Sequence, residues 1–443
     1  MEASPKIVEQ VLETLSLKTL NEMQIATLKA VKTHADILLQ SPTGSGKTLA
    51  FLLPILMELD TAVKTTQALI VVPSRELAQQ IETVWRTMRT GYKVTCCYGG
   101  HKRETEENSL VEAPALIIGT AGRLADHIRR GNITTATIKT LIVDEFDKAL
   151  DLGFAAEMEE IITALPNIER RILTSATGAT EVPAFVGLSN PETLHFEAAE
   201  TEEGFGLAIQ ILHTSDKDKL DDLFSLICQL GARPTIIFCN HREAVERTSN
   251  ALYERGIFNE FYHGAMEQQE RDAALVKFRN GSTYFLVTTD LAARGLDIAN
   301  LRYIIHYHLP HTEDAFTHRN GRTARVDKSG TAILMIGPDE KVPDYVLEGL
   351  FTTIKLQEKN TLPERPDWVT LYISAGKKNK VNKVDILGFL AQKGSLKMED
   401  IGLIEVKDFF SFVAVRRANA SSALKAIENE KLKGKKLKIE LAR

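Results

Sequence analysis

The sequence predicts an α/β chain of two tandem parallel-sheet lobes followed by a small C-terminal α+β domain. Short, near-continuous apolar runs alternate with amphipathic stretches, as expected for strands covered on both faces of a parallel sheet. That rhythm restarts after about residue 205, and a third pattern begins past Trp368. The length of 443 residues exceeds what one hydrophobic core serves.

Taken in order, residues 6–15 and 22–31 have helical apolar spacing. Candidate strands of the first lobe are 36–39, 67–72, 94–98, 115–119, 140–143 and 171–175. Those of the second are 235–239, 284–288, 303–307 and 331–336. The expected domains are 1–203, 204–357 and 367–443, with a polar linker at 358–366 that carries Pro363 and Pro366. The last domain reads as strand 370–374, helix 383–392, strands 401–406 and 409–416, helix 421–429 and strand 436–441. That order, βαββαβ, is the split arrangement of RRM-like folds.

Composition narrows the class. Apolar residues make up 44% and charged residues 26%, as in a soluble globular chain. The longest apolar stretches, 115–119 and 141–143, are far too short to span a bilayer. The N-terminus lacks a cationic segment followed by an apolar one, so no secretory signal is read there. Cys96, Cys97, Cys228 and Cys239 form no CxxC pair or finger spacing and read as reduced thiols. A cytoplasmic monomer with no membrane partner is expected. The net charge of −5 hides an asymmetry. Residues 367–443 hold sixteen Lys+Arg against nine Asp+Glu, about +7, and the remainder holds 38 against 50, about −12. A basic domain on an acidic body suits a polyanion through counterion release, or is simply a solvated surface.

Two motifs carry chemistry. Ser41-Pro42-Thr43-Gly44-Ser45-Gly46-Lys47-Thr48 lies between a predicted strand and a helix starting near Thr48. Its glycines let backbone N–H groups close around a phosphate at a helix N-terminus. Lys47 can reach the outer phosphates, and the Thr48 hydroxyl suits Mg²⁺. A lone Gly-rich run is often only a turn, but here the strand–loop–helix context favours nucleotide. Asp144-Glu145-Phe146-Asp147 follows strand 140–143, placing acids at the carboxyl edge where open α/β sheets bind ligands. Asp144 suits the metal, and Glu145 can position and deprotonate the attacking water. Alone, such acids would more simply cap a helix.

Together with further motifs, these residues resemble the DEAD-box RNA helicases of superfamily 2. The family's motifs recur in order between about residues 21 and 325: Gln24 in LNEMQ, PSREL at 73–77, Gly99-Gly100, TAGR at 120–123 and SAT at 175–177. IIFCN at 236–240, Gln268 with Arg271, ARGLD at 293–297 and HRNGRTAR at 318–325 follow. The resemblance implies two RecA-like lobes, ATP and Mg²⁺ as cofactors, and RNA-stimulated hydrolysis that opens short RNA duplexes. It implies that Gln24 reads the adenine edge, which fits the bidentate amide geometry. Arg322 and Arg325 become the arginine-finger candidates on the γ-phosphate, and Asp297 the ribose contact. Hydrolysis would then await closure of the two lobes, which ATP and RNA each favour. RNA contacts fall on Pro73, Arg75, Gly99, Gly100, Thr120, Arg123, Arg271 and Thr289, mostly to the phosphate backbone. Asp147, Ser175, Thr177 and His318 would couple hydrolysis to strand separation. The chain departs from the family at Ser41, where the loop often has Gly, at Ile7, where an aromatic stacks on adenine, and at Phe146, where the signature has Ala.

In the C-terminal domain, LYISAGKKNKVNKVDILGFL, DIGLIEV, FVAVRR and LKGKKLKIEL resemble the equivalent domain of DbpA-type helicases. That domain recognises a hairpin of large-subunit (23S) ribosomal RNA, which implies ribosome assembly and pre-ribosomal particles as the setting. Lys377, Lys378 and Lys380 are the candidate RNA contacts there. Leu371-Tyr372-Ile373 occupies the first-strand position where RRM sheets place a stacking aromatic, and Phe410 and Phe412 alternate along the third strand and so face one side. These rings either stack on unpaired bases or fill the core. Asp408 and Phe409 replace the usual basic residue and Gly. Two alternatives stand beside the helicase: an ATP-gated RNA clamp or chaperone without productive unwinding, and a DNA helicase of the same superfamily.

Overall fold

A computed structural model describes residues 5–42, 44–100, 102–175, 181–196, 207–290, 301–321, 330–347, 349–357 and 361–442. The chain divides into two compact units, one built on a first sheet and one on a second sheet together with the C-terminal domain.

The first sheet contains β1 (Asp36–Gln40), β2 (Ala68–Val72), β3 (Val94–Cys97), β4 (Leu116–Thr120), β5 (Thr140–Val143), β6 (Arg170–Ser175) and β7 (Glu192–His195). Their order is β3-β4-β2-β5-β6-β1-β7, with every pairing parallel. β2 and β5 are buried along their whole length because alternate side chains feed opposite layers. Ala68, Ile70 and Val72 join Phe51, Leu53 and Trp85 on one face; Leu69 and Val71 join Leu124, Phe146 and Ile161 on the other. The carboxyl ends of β5, β6 and β1 are therefore neighbours, as are those of β3, β4 and β2.

The second sheet repeats the plan with β8 (Leu207–His213), β9 (Thr235–Phe238), β10 (Glu260–Tyr262), β11 (Phe285–Thr288), β12 (Tyr303–His306), β13 (Gly330–Ile336) and β14 (Phe351–Thr353). Its order is β10-β11-β9-β12-β13-β8-β14, again parallel.

The C-terminal domain has β15 (Trp368–Ile373), β16 (Ile401–Val406), β17 (Ser411–Arg416), a short hairpin of β18 (Lys431–Leu432) with β19 (Lys435–Lys436), and β20 (Ile439–Leu441). The sheet runs β16-β17-β15-β20, antiparallel throughout. Helices Lys383–Gln392 and Arg417–Ile427 cover one face through Ile386, Leu390, Ala423 and Ile427. On the other face Tyr372 pairs with Phe412 across the strands, and Phe410 stands beside them, with ring centroids 5.4–5.9 Å apart.

That aromatic face lies outside the domain's own core and is largely covered by the preceding lobe, with Tyr372 and Phe410 partly buried, which differs from both sequence expectations. It packs on Ala273 and Val276 of the second lobe's helix Gln268–Arg279, leaving Phe412 only 1% exposed. Polar contacts frame the seam. Asn280 Nδ2 donates to Thr370 Oγ1 at 2.8 Å, Ser282 and Thr370 hydroxyls meet at 2.9 Å, and Lys407 lies 3.6 Å from Asp272. The approach to the domain packs on the same lobe, with the Arg365 guanidinium 4.4 Å from the Phe258 ring centroid.

Candidate active site and RNA surface

β1 ends at Gln40, and the loop returns at once into helix Lys47–Glu58. Gly44 and Gly46 have φ of +82° and +94°, a region that only glycine enters cheaply. Gly46 has a second reason to be glycine: a Cβ there would stand 2.7 Å from Gln24 Nε2. Gln24 belongs to helix Glu22–Ala30, which Asn21 caps in a reciprocal box. Its Nε2 donates to Gly46 O at 3.2 Å, while Asn21 Nδ2 donates to Ser45 O at 2.8 Å. Gln24 thus sits against the phosphate loop and is not a solvent-facing helix residue. Ser41 Oγ donates to Ser45 Oγ at 2.7 Å, which gives Ser41 a bracing role inside the loop. Lys47 is 8% exposed and donates to the carbonyls of Ser41 and Pro42. Burial holds its ammonium below the usual lysine range, opposed by Asp144 and Glu145. Thr48 is half-buried on the same turn. Ile7 is half-buried against the lobe's core.

The acids stand at the end of β5, one strand removed from β1 across β6. Asp144 is buried, and its carboxylate accepts from the Thr174 hydroxyl. Burial, reinforced by Glu145, pushes the Asp144 carboxyl up to about 6. The Glu145 backbone has φ +52° and donates to the same Thr174 oxygen at 3.0 Å, a strained turn that aims its side chain. Glu145 Oε1 lies 3.0 Å from Lys148 Nζ, itself fully buried. Phe146 is a core residue, 3% exposed. Asp147 Oδ1 is buried with no hydrogen-bond partner among the described residues. Ser175, also fully buried, accepts from Ser41 N at 3.0 Å, which ties the SAT strand to the phosphate loop. Thr43, Thr177, Asp297, Arg322 and Arg325 lie outside the described residues.

The RNA candidates gather on the other half of the first sheet's carboxyl edge. Pro73 follows β2, Gly99 and Gly100 follow β3, and Thr120 ends β4. Arg75 opens helix Arg75–Thr87 behind the Ser74 cap, its guanidinium 5.1 Å from the Tyr98 ring centroid. Gln79 donates to Tyr98 Oη at 2.9 Å, yet burial still pushes that phenol up to about 12.

Sequence reading missed the hub beneath this edge. Glu106, 3% exposed, accepts from Tyr98 N at 2.7 Å, Arg123 Nη1 at 2.9 Å and His127 Nε2 at 2.7 Å. With Cys97 it forms a buried Cys–Glu–His cluster. Its polar atoms are already satisfied, because Asn132 Nδ2 lies 3.0 Å from His127 Nδ1, and burial pushes the Cys97 thiol well up. The cluster reads as a hydrogen-bonded anchor for the glycine and TAGR motifs.

In the second lobe, Arg271 lies along the Tyr262 ring, 5.2 Å from its centroid, and donates to Tyr262 Oη at 2.9 Å. Thr289 follows β11 at the neighbouring strand end. A second missed hub is Arg319, 2% exposed on helix Glu313–Asn320, which also carries the half-buried His318. It grips the Asp290 carboxylate with Nε and Nη2, Asn240 Oδ1 at 2.9 Å and His308 O at 2.7 Å. The IIFCN and HRNGRTAR motifs and Asp290 after β11 thereby share one guanidinium. The neighbouring His306 is held neutral, its pKa lowered to about 3 by burial and by Arg319.

In the C-terminal domain Lys377, Lys378 and Lys380 are exposed on a short turn after β15. Gly376 seats that turn: a Cβ there would stand 2.2 Å from Lys407 O. Lys377 N and Lys378 N donate to Lys407 O and Asp408 O at 2.9 and 2.8 Å.

Comparison with known proteins agrees with this geometry. Residues 21–185 match the DEAD/DEAH box helicase family, 218–327 the helicase conserved C-terminal domain, and 370–441 the DbpA RNA binding domain. The fold resembles Saccharomyces cerevisiae Dbp5 bound to RNA and ADP BeF3, with a TM-score of 0.69 and 25% identity over 80% of this chain and 94% of that one. Fold, phosphate loop and acids together define a DEAD-box ATP-dependent RNA helicase. The ATP-dependent RNA helicase DbpA of Escherichia coli is 34% identical over 97% of this chain and 96% of its own length. The Bacillus subtilis protein of that name is 29% identical over the same shares. The chain belongs to the DbpA family of these helicases. No helix among the described residues is long and apolar enough to cross a membrane.

Proposed function

We propose that the chain hydrolyses ATP in response to RNA and opens short duplexes of large-subunit (23S) ribosomal RNA during ribosome assembly. The observation that carries this reading is the meeting of the Lys47 loop after β1 with Asp144 and Glu145 after β5, across the end of the intervening β6, in a chain that also bears a DbpA RNA binding domain. Phosphate oxygens would replace the loop carbonyls that Lys47 now contacts. The residues fit Mg²⁺: the Asp144 carboxyl is raised by burial beside a second acid, a cost that a hard cation with oxygen ligands offsets. Asp144 and Thr48 would hold it, and the ion would supply charge neutralisation at the phosphates. Glu145, aimed by its strained backbone, would position the attacking water and take its proton. Gln24 would read adenine with its remaining hydrogen-bond capacity, Asp297 would hold the ribose, and Arg322 and Arg325 would balance charge on the γ-phosphate. Asp147, Ser175, Thr177 and His318 would couple the two activities.

RNA would be gripped by Pro73, Arg75, Gly99, Gly100, Thr120, Arg123, Arg271 and Thr289 in the lobes, and by Lys377, Lys378 and Lys380 in the C-terminal domain. Four free cysteines fit a reducing cytoplasm, and we expect a monomer acting on pre-ribosomal particles. The test is phosphate release by the full chain with ribosomal RNA, random RNA or DNA. Lys47→Ala and Glu145→Gln should each lower RNA-stimulated turnover by about 10²-fold or more. Undiminished turnover in both would refute the assigned chemistry. RNA binding without hydrolysis by the unmutated chain would favour the ATP-gated clamp.

A further inference from the structure

The C-terminal domain has six aromatic residues, and the fold disposes of five. Tyr372, Phe410 and Phe412 form the face seated on helix Gln268–Arg279. Phe389 lies in the domain core. Trp368 is half-buried, with the Arg416 guanidinium 4.4 Å from its ring centroid and Gly402 packed against it. The sixth, Phe409, is 59% exposed at the turn between β16 and β17. A side chain of that size gains from burial, so its exposure leaves a flat apolar face available to a ligand.

The position of Phe409 gives the ligand its chemistry. The turn that presents it is the one laced to the lysine loop, through Lys377 N to Lys407 O and Lys378 N to Asp408 O. Lys407 N closes the turn itself by donating to Phe410 O at 2.9 Å. Gly376 permits this close backbone approach, so the ring and the ammonium groups of Lys377 and Lys378 are carried on one braced platform. Lys380 and Lys383 continue the basic surface at the start of helix Lys383–Gln392. An exposed π-face beside several cations suits one ligand class: an unpaired base with its flanking phosphates.

We propose that Phe409 is a base-stacking subsite of this domain, taking an unpaired nucleotide of a structured RNA while Lys377 and Lys378 hold the adjoining phosphates. The proposal rests on the RNA-binding reading of the domain and replaces its sheet face with the turn at residues 407–409 as the place of stacking.

The full chain is titrated with large-subunit ribosomal RNA and, separately, with oligouridylate, reading the RNA concentration for half-maximal ATPase. Phe409→Ala should raise that concentration about tenfold for ribosomal RNA and leave the oligouridylate titration and RNA-free turnover within about twofold of the parent. Phe409→Trp should titrate like the parent, and its added indole fluorescence should be quenched on RNA binding. If Lys377→Glu/Lys378→Glu weakens the ribosomal RNA response while Phe409→Ala does not, the stacking subsite is refuted and the RNA reading of the domain survives. If neither variant moves the titration, both fall together.

Discussion

Asp144 is held between two demands. Its burial beside Glu145 suits a cation but raises the carboxyl to about 6 in the folded chain, above the ordinary value of 3.8. The folded state therefore binds this proton more tightly than the unfolded one, and the associated stability is present at low pH and lost as pH rises from about 4 to 6. Asp144→Asn should stabilise the nucleotide-free chain at pH 7 by roughly 1–3 kcal/mol. It should flatten that pH dependence and abolish the rise in thermal midpoint produced by Mg²⁺ with ATP. Thermal unfolding at pH 4.5 and 7 checks both. Lys47, Asp144 and Glu145 were legible because each lies in a short local motif whose spacing implies its chemistry. Glu106 and Arg319 were not: Arg123 lies 17 residues from Glu106, and Asn240 lies 79 from Arg319. Glu106 lies in no motif, and Arg319, though inside HRNGRTAR, takes partners that sequence spacing does not reveal.

Strands were legible where they are deep. β2, β5 and β9 are buried along their full length and read as unbroken apolar runs. β7, β10 and β14 escaped the sequence reading because they are sheet edges of three or four residues, partly exposed and without a clear period. β8 escaped because it follows directly on the expected domain boundary. The first helix of the acidic motif shows the converse. Phe146 departs from the family signature, yet its ring is 3% exposed within the layer formed by Leu124, Ile161 and Val186. It is packing, set between Glu145, which keeps its ion pair with Lys148, and Asp147, whose buried Oδ1 has no hydrogen-bond partner among the described residues. Phe146→Ala should open a cavity and cost about 3–5 kcal/mol, lowering the midpoint of the first lobe's unfolding. RNA-stimulated ATPase measured well below that midpoint should persist; its loss there would assign the ring a part in coupling.

At the scale of the second unit, the C-terminal domain is an extension of its lobe. Its aromatic face, the Asn280–Thr370 and Lys407–Asp272 contacts and the packing of Arg365 on Phe258 make one continuous structure. The sequence located the aromatics and the face shared by Phe410 and Phe412, but the neighbour that covers them is about a hundred residues earlier and could not be read. Phe412→Ala should loosen this seam, and calorimetry should then resolve a separate transition for the domain that is merged with its lobe in the parent. Seating of this kind also sets a span. A domain on a slack tether samples many separations, and its effective concentration is spread over all of them. Here the platform of Lys377, Lys378 and Phe409 belongs to the same compact unit as Arg271 and Thr289. An anchored hairpin would thus present to the motor only the stretch of RNA lying one fixed interval away, so the chain would select its duplex by measuring distance as well as by touch.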